Sequence, residues 1–191
     1  AQNAKINKPD SEALAPQSRD EDRTGNLFIR DSIDHYINKG LQDWNLPGLA
    51  IVIIKNGKVV LMKGYGVKDI VSKAPVDTNT LFMIASNTKL FTASVLALLE
   101  TQGKLSLDDH ITKYFPDYRL YDSTSTSLVS IRDLLSHRIG TKTFQGDFTF
   151  WNTSLSRKEI MKRMRLLKPS RHFRQDFGYC NSCFLTAGQV I

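Results

Sequence analysis

Cysteine is nearly absent: 191 residues hold two, Cys180 and Cys183. That excludes a disulfide scaffold, which needs several pairs. Their C-x-x-C spacing has no thioredoxin-like strand before it and no second pair to complete a zinc site. They read as ordinary helix cysteines. No apolar stretch approaches the ~20 residues that span a bilayer; the longest runs from Leu46 to Ile54. A transmembrane segment is therefore not expected. His35, His110 and His172 show no ligand spacing, no Gly-rich phosphate loop occurs, and no carboxylate pair stands at a plausible site. Neither metal nor organic cofactor is implied. With 41% hydrophobic residues, 11 Gly and 6 Pro, the composition is that of an ordinary globular domain.

Charge is present but confined. The chain carries +7 overall. The window 157–174 holds eight basic residues and one acid, Glu159, and so carries the whole excess. A single basic helix and its exit loop read first as a solvated face, next as a surface for an anionic partner or lipid, and least as a nucleic-acid site. A nucleic-acid partner is not expected.

Residues 1–26 are polar and aperiodic, and read as a flexible N-terminal arm. From Leu27 an apolar period through Ile29, Ile33, Tyr36, Ile37, Leu41 and Trp44 predicts a helix, ended by Pro47-Gly48. Two β-prone runs follow, Leu49–Ile54 and Val59–Tyr65, joined across Asn56-Gly57. Asn-Gly between such runs is a strong hairpin signal. The first run is apolar on both faces, which predicts cover on both sides of its sheet. A long helix is expected over about 86–102, stopped by Gly103. S-x-x-[DE] starts at Ser106, Ser130 and Ser156 predict three more helices: one after Ser106, one over 131–137 and one over 157–167. A last helix is expected over 182–191. Two strand signals are few for a covered sheet, so 27–191 reads as the N-terminal part of a larger domain.

Three places could carry chemistry. Ser86 and Lys89 stand three apart at a helix start, and i and i+3 share a helix face. The helix N-terminus adds positive potential and unpaired N–H groups. That field favours an alkoxide-like Ser, whose proton a neutral Lys amine can take. Alone, the pattern is equally a helix-start Ser beside a solvated Lys. Tyr179 and Asn181 form the second place. A phenol near a cationic Lys loses its proton more easily and can shuttle protons. The Asn amide can hold a substrate carbonyl or the Lys amine. The plainer reading is a buried aromatic before a helix-capping Asn. His137, third, is conceivable as a base, but reads better as a packed His stabilised by a helix C-terminus.

The combination is more specific than its parts. A hairpin precedes Ser-x-x-Lys on an apolar helix; Leu134-Leu-Ser-His137 follows, and Tyr-x-Asn begins 93 positions after Ser86. Leu46-Pro-Gly-Leu-Ala-Ile-Val52, Gly64-Tyr-Gly66, Phe82-Met-Ile-Ala-Ser-Asn-Thr-Lys89 and 173–179 match as well. This resembles the penicillin-recognising serine hydrolases, in the branch of class C β-lactamases, D,D-carboxypeptidases, D-aminopeptidases and related esterases. The resemblance implies an α/β fold of the α+β type, β-lactamase/transpeptidase-like, with an antiparallel sheet flanked by helices. Here it would be truncated to the first hairpin plus the helical region.

The resemblance further implies roles. Ser86 would be acylated, Lys89 would activate it, Tyr179 would relay protons, and Asn181 would bind the substrate amide. The Ser86 N–H would supply half of an oxyanion hole. Substrates would be small molecules or peptides: β-lactams, D-amino-acid peptides or esters. His137-Arg-Ile-Gly-Thr141 departs from the family's His-Thr-Ser-Gly-Leu-like stretch, with Arg138 expected near the cleft mouth. The family's third motif, on a later strand, is not among these residues. A second chain or fragment would then supply the missing C-terminal strands. The start Ala1-Gln2, without Met, resembles a processed export product, and with the family points to a periplasmic or secreted protein. Two rival readings remain: a non-catalytic binding module of the same fold, and an anion- or lipid-surface module built on 157–174.

Overall fold

The apolar period that opens the chain folds as two helices joined at Ser32, α1 (Leu27–Asp31) and α2 (Ile33–Asp43). The computed structural model describes residues 27–150 and 153–191; the expected arm lies outside them. Residues 27–82 and 83–191 form two units. In the first, α2 buries Ile33, Ile37 and Leu41, while Tyr36 and Trp44, of the same period, are exposed. The hairpin is β1 (Gly48–Lys55) with β2 (Lys58–Gly66), antiparallel, Gly48 opposite Gly66. Asn56 and Gly57 both take positive φ, 51° and 74°. That is the two-residue turn whose twist suits a hairpin, and the reason for Asn-Gly there. Leu49, Ile51, Ile53, Leu61 and Tyr65 pack with the buried residues of α2.

Among the described residues one face of the hairpin is left exposed, where cover on both was expected. Val52, Ile54, Val59 and Met62 are exposed. Side chains alternate across a strand, and α2 can cover one face only. The Tyr65 hydroxyl donates to Asp34 Oδ1 at 2.6 Å and Lys63 pairs with Asp34 Oδ2 at 2.7 Å, tying strand to helix.

The second unit is helical. A 3₁₀ turn over Ala85–Asn87 leads into α3 (Thr88–Thr101), and Gly103 follows it with φ 68°, as a helix-stopping glycine does. Of the α3 apolar residues Leu96 is fully buried; Leu90, Phe91, Val95 and Leu98 are exposed. The predicted start at Ser106 gives no helix. The Asp109 carboxylate does accept the Ser106 N–H, but it also takes Lys113 and the Tyr114 hydroxyl, and the helix that forms is the single turn α4 (Ile111–Tyr114). Next comes α5 (Ser123–Leu128), unforeseen in the sequence and capped by Asp122, whose side chain accepts the Ser125 N–H.

The other two starts close full capping boxes, Ser130 with Asp133 on α6 (Ile131–Leu135) and Ser156 with Glu159 on α7 (Arg157–Arg163). Both helices are shorter than expected; α7 gives way to a 3₁₀ turn over Met164–Leu166. On α7, Ile160 and Met161 face the core, and the basic residues form its exposed side. The last helix is α8 (Asn181–Gly188), packed on α3, α6 and α7. Cys180 and Cys183 are free and fully buried in this core, beside Leu96, Ile111, Val129, Ile131 and Leu134. Each fully buried aliphatic there contributes about 1.5–3 kcal/mol. No described helix is long and apolar enough to cross a membrane.

Candidate active site

Ser86 enters the site through strained backbone. Ala85, which carries a Cβ, has φ 45°, a left-handed conformation that costs a non-glycine residue about 1–2 kcal/mol. The turn sets Ser86 one residue ahead of the Asn87 N-cap of α3, and Lys89 in the first turn. Lys89 Nζ donates to Ser86 Oγ at 3.1 Å. The spacing argument thus describes the local geometry, although Ser86 itself lies on the 3₁₀ turn.

The partner from far along the chain is Tyr179, whose hydroxyl lies 2.6 Å from Ser86 Oγ. Two segments hold it. The Gly178 N–H donates to His137 O at 2.8 Å, and the Phe144 N–H donates to Tyr179 O at 2.8 Å. The chains approach so closely at Gly178 that a Cβ there would overlap the Thr141 carbonyl oxygen. Gly178→Ala is therefore expected to cost about 1–3 kcal/mol by overpacking. It should also shift the adjacent Tyr179, so thermal melting and any Ser86 acylation rate should fall together.

Hydrogen bonding from Lys89, then from Ser86, lowers the Tyr179 phenol below its usual value and outweighs the opposing effect of burial. Lys89 Nζ also stands 4.8 Å from the centre of the Tyr179 ring, within the range of a cation–π contact.

Asn181 is the first residue of α8 rather than its cap; Cys180 holds the cap position and makes no side-chain capping bond. The Asn181 amide is engaged elsewhere. Its Oδ1 accepts from Lys89 Nζ at 2.7 Å, and its Nδ2 donates to Asp147 Oδ2 at 2.7 Å. Of the two uses open to it, the amide here holds the Lys amine. Asp147 went unnoticed in the sequence. A lone Asp after a Gly carries no periodic or motif signal.

His137 lies just past α6 with φ 57°. Its Nδ1 accepts the Cys180 N–H at 3.0 Å, and its ring packs on Phe177, Tyr179 and Phe184. The expected stabilisation of a charged His by the helix dipole is reversed. Burial, then the charge of Lys89, hold the imidazole below its usual value, and a neutral Nδ1 is what can accept an N–H. Arg138 does not face the cleft. Its Nε binds Asp133 Oδ1 at 2.6 Å, because Asp133 is fully buried and needs cations. Arg174, from the basic window, pairs with Asp133 Oδ2 at 2.8 Å. Among the described residues no group of His, Cys, Asp or Glu is arranged to hold a metal ion.

Comparison with known proteins identifies the family and the fold. The Beta-lactamase family profile matches residues 33–191. Protein flp of Staphylococcus aureus (strain NCTC 8325 / PS 47) is 37% identical over 163 residues, covering 83% of this chain and 32% of flp. A class C β-lactamase superposes with a TM-score of 0.67 at 26% identity, over 85% of this chain and 45% of that one. The D-amino acid amidase of Ochrobactrum anthropi SV3, solved with D-phenylalanine, gives 0.65 at 26% identity, over 86% and 44%. The chain spans about a third of the length of the curated relatives it matches. With the profile covering all but the first 32 residues and the fold shared with hydrolases of known structure, the chain belongs to the Beta-lactamase family.

Proposed function

We propose that Ser86 is the nucleophile of a serine hydrolase that accepts an acyl group from an amide or ester and passes it to water. The observation that carries this reading is the position of Ser86 Oγ, 2.6 Å from the Tyr179 hydroxyl and 3.1 Å from Lys89 Nζ. A nucleophile bonded to two proton-transferring groups, one of them oriented by a third residue, is the arrangement that acyl transfer needs. Here Asn181 does the orienting.

In this mechanism the Tyr179 phenolate, held beside Lys89 Nζ, takes the Ser86 proton as Oγ attacks the carbonyl. Tyr179 then delivers a proton to the leaving nitrogen or oxygen and later draws one from the deacylating water. The Ser86 N–H donates to the oxyanion. Substrates are β-lactams, D-amino-acid peptides or simple esters. A class C β-lactamase and a D-amino acid amidase among the structural neighbours support that range.

The test is the intact mass of the chain after incubation with a fluorophosphonate and, separately, a penicillin. One adduct with either reagent is expected. A folded chain that takes up neither overturns the reading.

A pH dependence follows from Tyr179. Its lowered phenol acts as a base only when ionised, so the acylation rate should rise with pH through a midpoint below the ordinary tyrosine value near 10. Tyr179→Phe should flatten that rise. A profile of fluorophosphonate labelling between pH 6 and about 10 measures both.

A further inference from the structure

The geometry points to Asp147 as a positioning residue that fixes the direction of the Asn181 amide, and through it the place of Lys89 beside Ser86. The inference rests on the reading of Ser86 as nucleophile.

An Asn side chain can face either way, since its two ends are nearly the same size. The flanking groups remove that freedom. Lys89 Nζ donates, and what it meets is Oδ1; the Asp147 carboxylate oxygen accepts, and what it meets is Nδ2. Both contacts are 2.7 Å. The chain of bonds therefore runs one way, from Ser86 Oγ through Lys89 and Asn181 to Asp147. Without Asp147, nothing on the far side of Asn181 would stop the amide from turning its NH₂ toward Lys89, donor against donor.

The setting of Asp147 fits this task better than a packing role. It is 6% exposed, and its second oxygen, Oδ1, is buried without a hydrogen-bond partner. A buried carboxylate kept for stability alone would be expected to have both oxygens satisfied, because leaving one bare is costly. Its one bond goes to the residue that holds Lys89. Gly146, at φ 85°, opens the 3₁₀ turn over Asp147–Thr149 that aims the carboxylate inward. The Asp147 charge also works against ionisation of Tyr179. Its position therefore carries an electrostatic cost for the proposed base, which the orientation of Asn181 offsets.

The experiment compares fluorophosphonate labelling of Ser86 in the wild-type chain, Asp147→Ala, Asp147→Asn, Asn181→Ala and the double variant Asp147→Ala/Asn181→Ala. Asp147→Ala is expected to slow labelling about 10- to 100-fold, the range for loss of an outer partner that aligns a reacting group. In the Asn181→Ala background the same change should alter the rate less than about twofold, because the effect travels through Asn181. Asp147→Asn keeps an acceptor for the amide and should stay near the wild-type plateau, with its pH rise moved to lower pH as the charge opposing Tyr179 is lost. An unchanged rate in Asp147→Ala, or an equal loss with and without Asn181, overturns the proposal.

Proton NMR of the wild-type Asn181 side-chain NH₂ supplies a readout that needs neither acylation nor a folded variant. Slow exchange and a downfield donor proton are expected; free rotation and rapid exchange overturn the proposal. If the wild-type chain takes no label while the NH₂ is held, the nucleophile reading has failed and the Asp147–Asn181 pairing has not.

Discussion

Ser86→Ala should leave no adduct with either a fluorophosphonate or a penicillin, at any pH and over any incubation time. The expectation is total because the substitution removes the bond-forming atom, whereas the other members of the site only assist it. Lys89→Met and Tyr179→Phe should each slow labelling by about 10²–10⁴, the range for loss of a positioned proton-transfer group. Their combined loss should fall well short of the product. Both contact the same Oγ, at 3.1 and 2.6 Å, and residues that act as a unit are strongly non-additive. Stability should not follow activity. Ser86 is exposed, and an exposed substitution away from caps and core usually changes stability by no more than about 0.5 kcal/mol. A Ser86→Ala chain that melts with the wild type and still gains an adduct would place the nucleophile elsewhere. A chain that loses both fold and label would show Ser86 to be a structural residue.

How much of this was legible in the sequence follows the range of the interactions. Local ones read well. Asn56-Gly57 has the two positive φ angles that its turn requires, and the boxes at Ser130 and Ser156 are closed by the residues three positions on. The family and its fold were also legible, because motif order survives where overall identity to solved relatives is only 26%. The gathering of Ser86, Lys89, Tyr179 and Asn181 could be expected only through that order. No local rule brings position 179 to position 86. What escaped was tertiary. Arg138 and Arg174 looked like free cations because nothing in the sequence shows that Asp133 is buried between them. Asp147 had no pattern at all. The α5 segment Ser-Thr-Ser-Thr-Ser-Leu is poor in strong helix formers, and it is helical because Asp122 caps it and Ser125 and Thr126 are buried. The apolar face of β1 misled in the other direction: a strand apolar on both sides still has only one side against α2.

Asp133→Ala should cost about 2–3 kcal/mol at neutral pH, a large share of a net stability of about 5–15 kcal/mol. The size comes from the ionised carboxylate and its donors. Burial alone would raise the Asp133 carboxyl, but hydrogen bonds from Arg174, from the Ser130 N–H and hydroxyl and from Arg138 outweigh it and hold the group at about 2. Against an ordinary value near 3.9, that is about 2.5 kcal/mol of preference for the ionised, folded form. The guanidiniums of Arg138 and Arg174 remain partly exposed, so part of that preference is screened, and once unpaired they regain water. Loss of the α6 capping box is part of the same sum, since the Ser130 N–H and hydroxyl are among those donors. The sign in pH is fixed by the direction of the shift. A carboxyl depressed in the folded state stabilises above its unfolded value near 3.9, and that contribution is lost as pH falls toward about 2. Urea melts of wild type and Asp133→Asn should therefore differ most at pH 6–7 and converge between about pH 4 and 2. A gap that stays constant with pH would mean that packing, not charge, is what Asp133 supplies. The consequence reaches the site through the backbone. The Arg174 N–H donates to the Arg138 carbonyl at 2.7 Å, and Arg138 directly follows the His137 that receives the Cys180 N–H. Loosening Asp133 therefore frees the segment against which Tyr179 and Asn181 are set. At pH 7, Ser86 labelling in Asp133→Asn should fall before the chain unfolds globally.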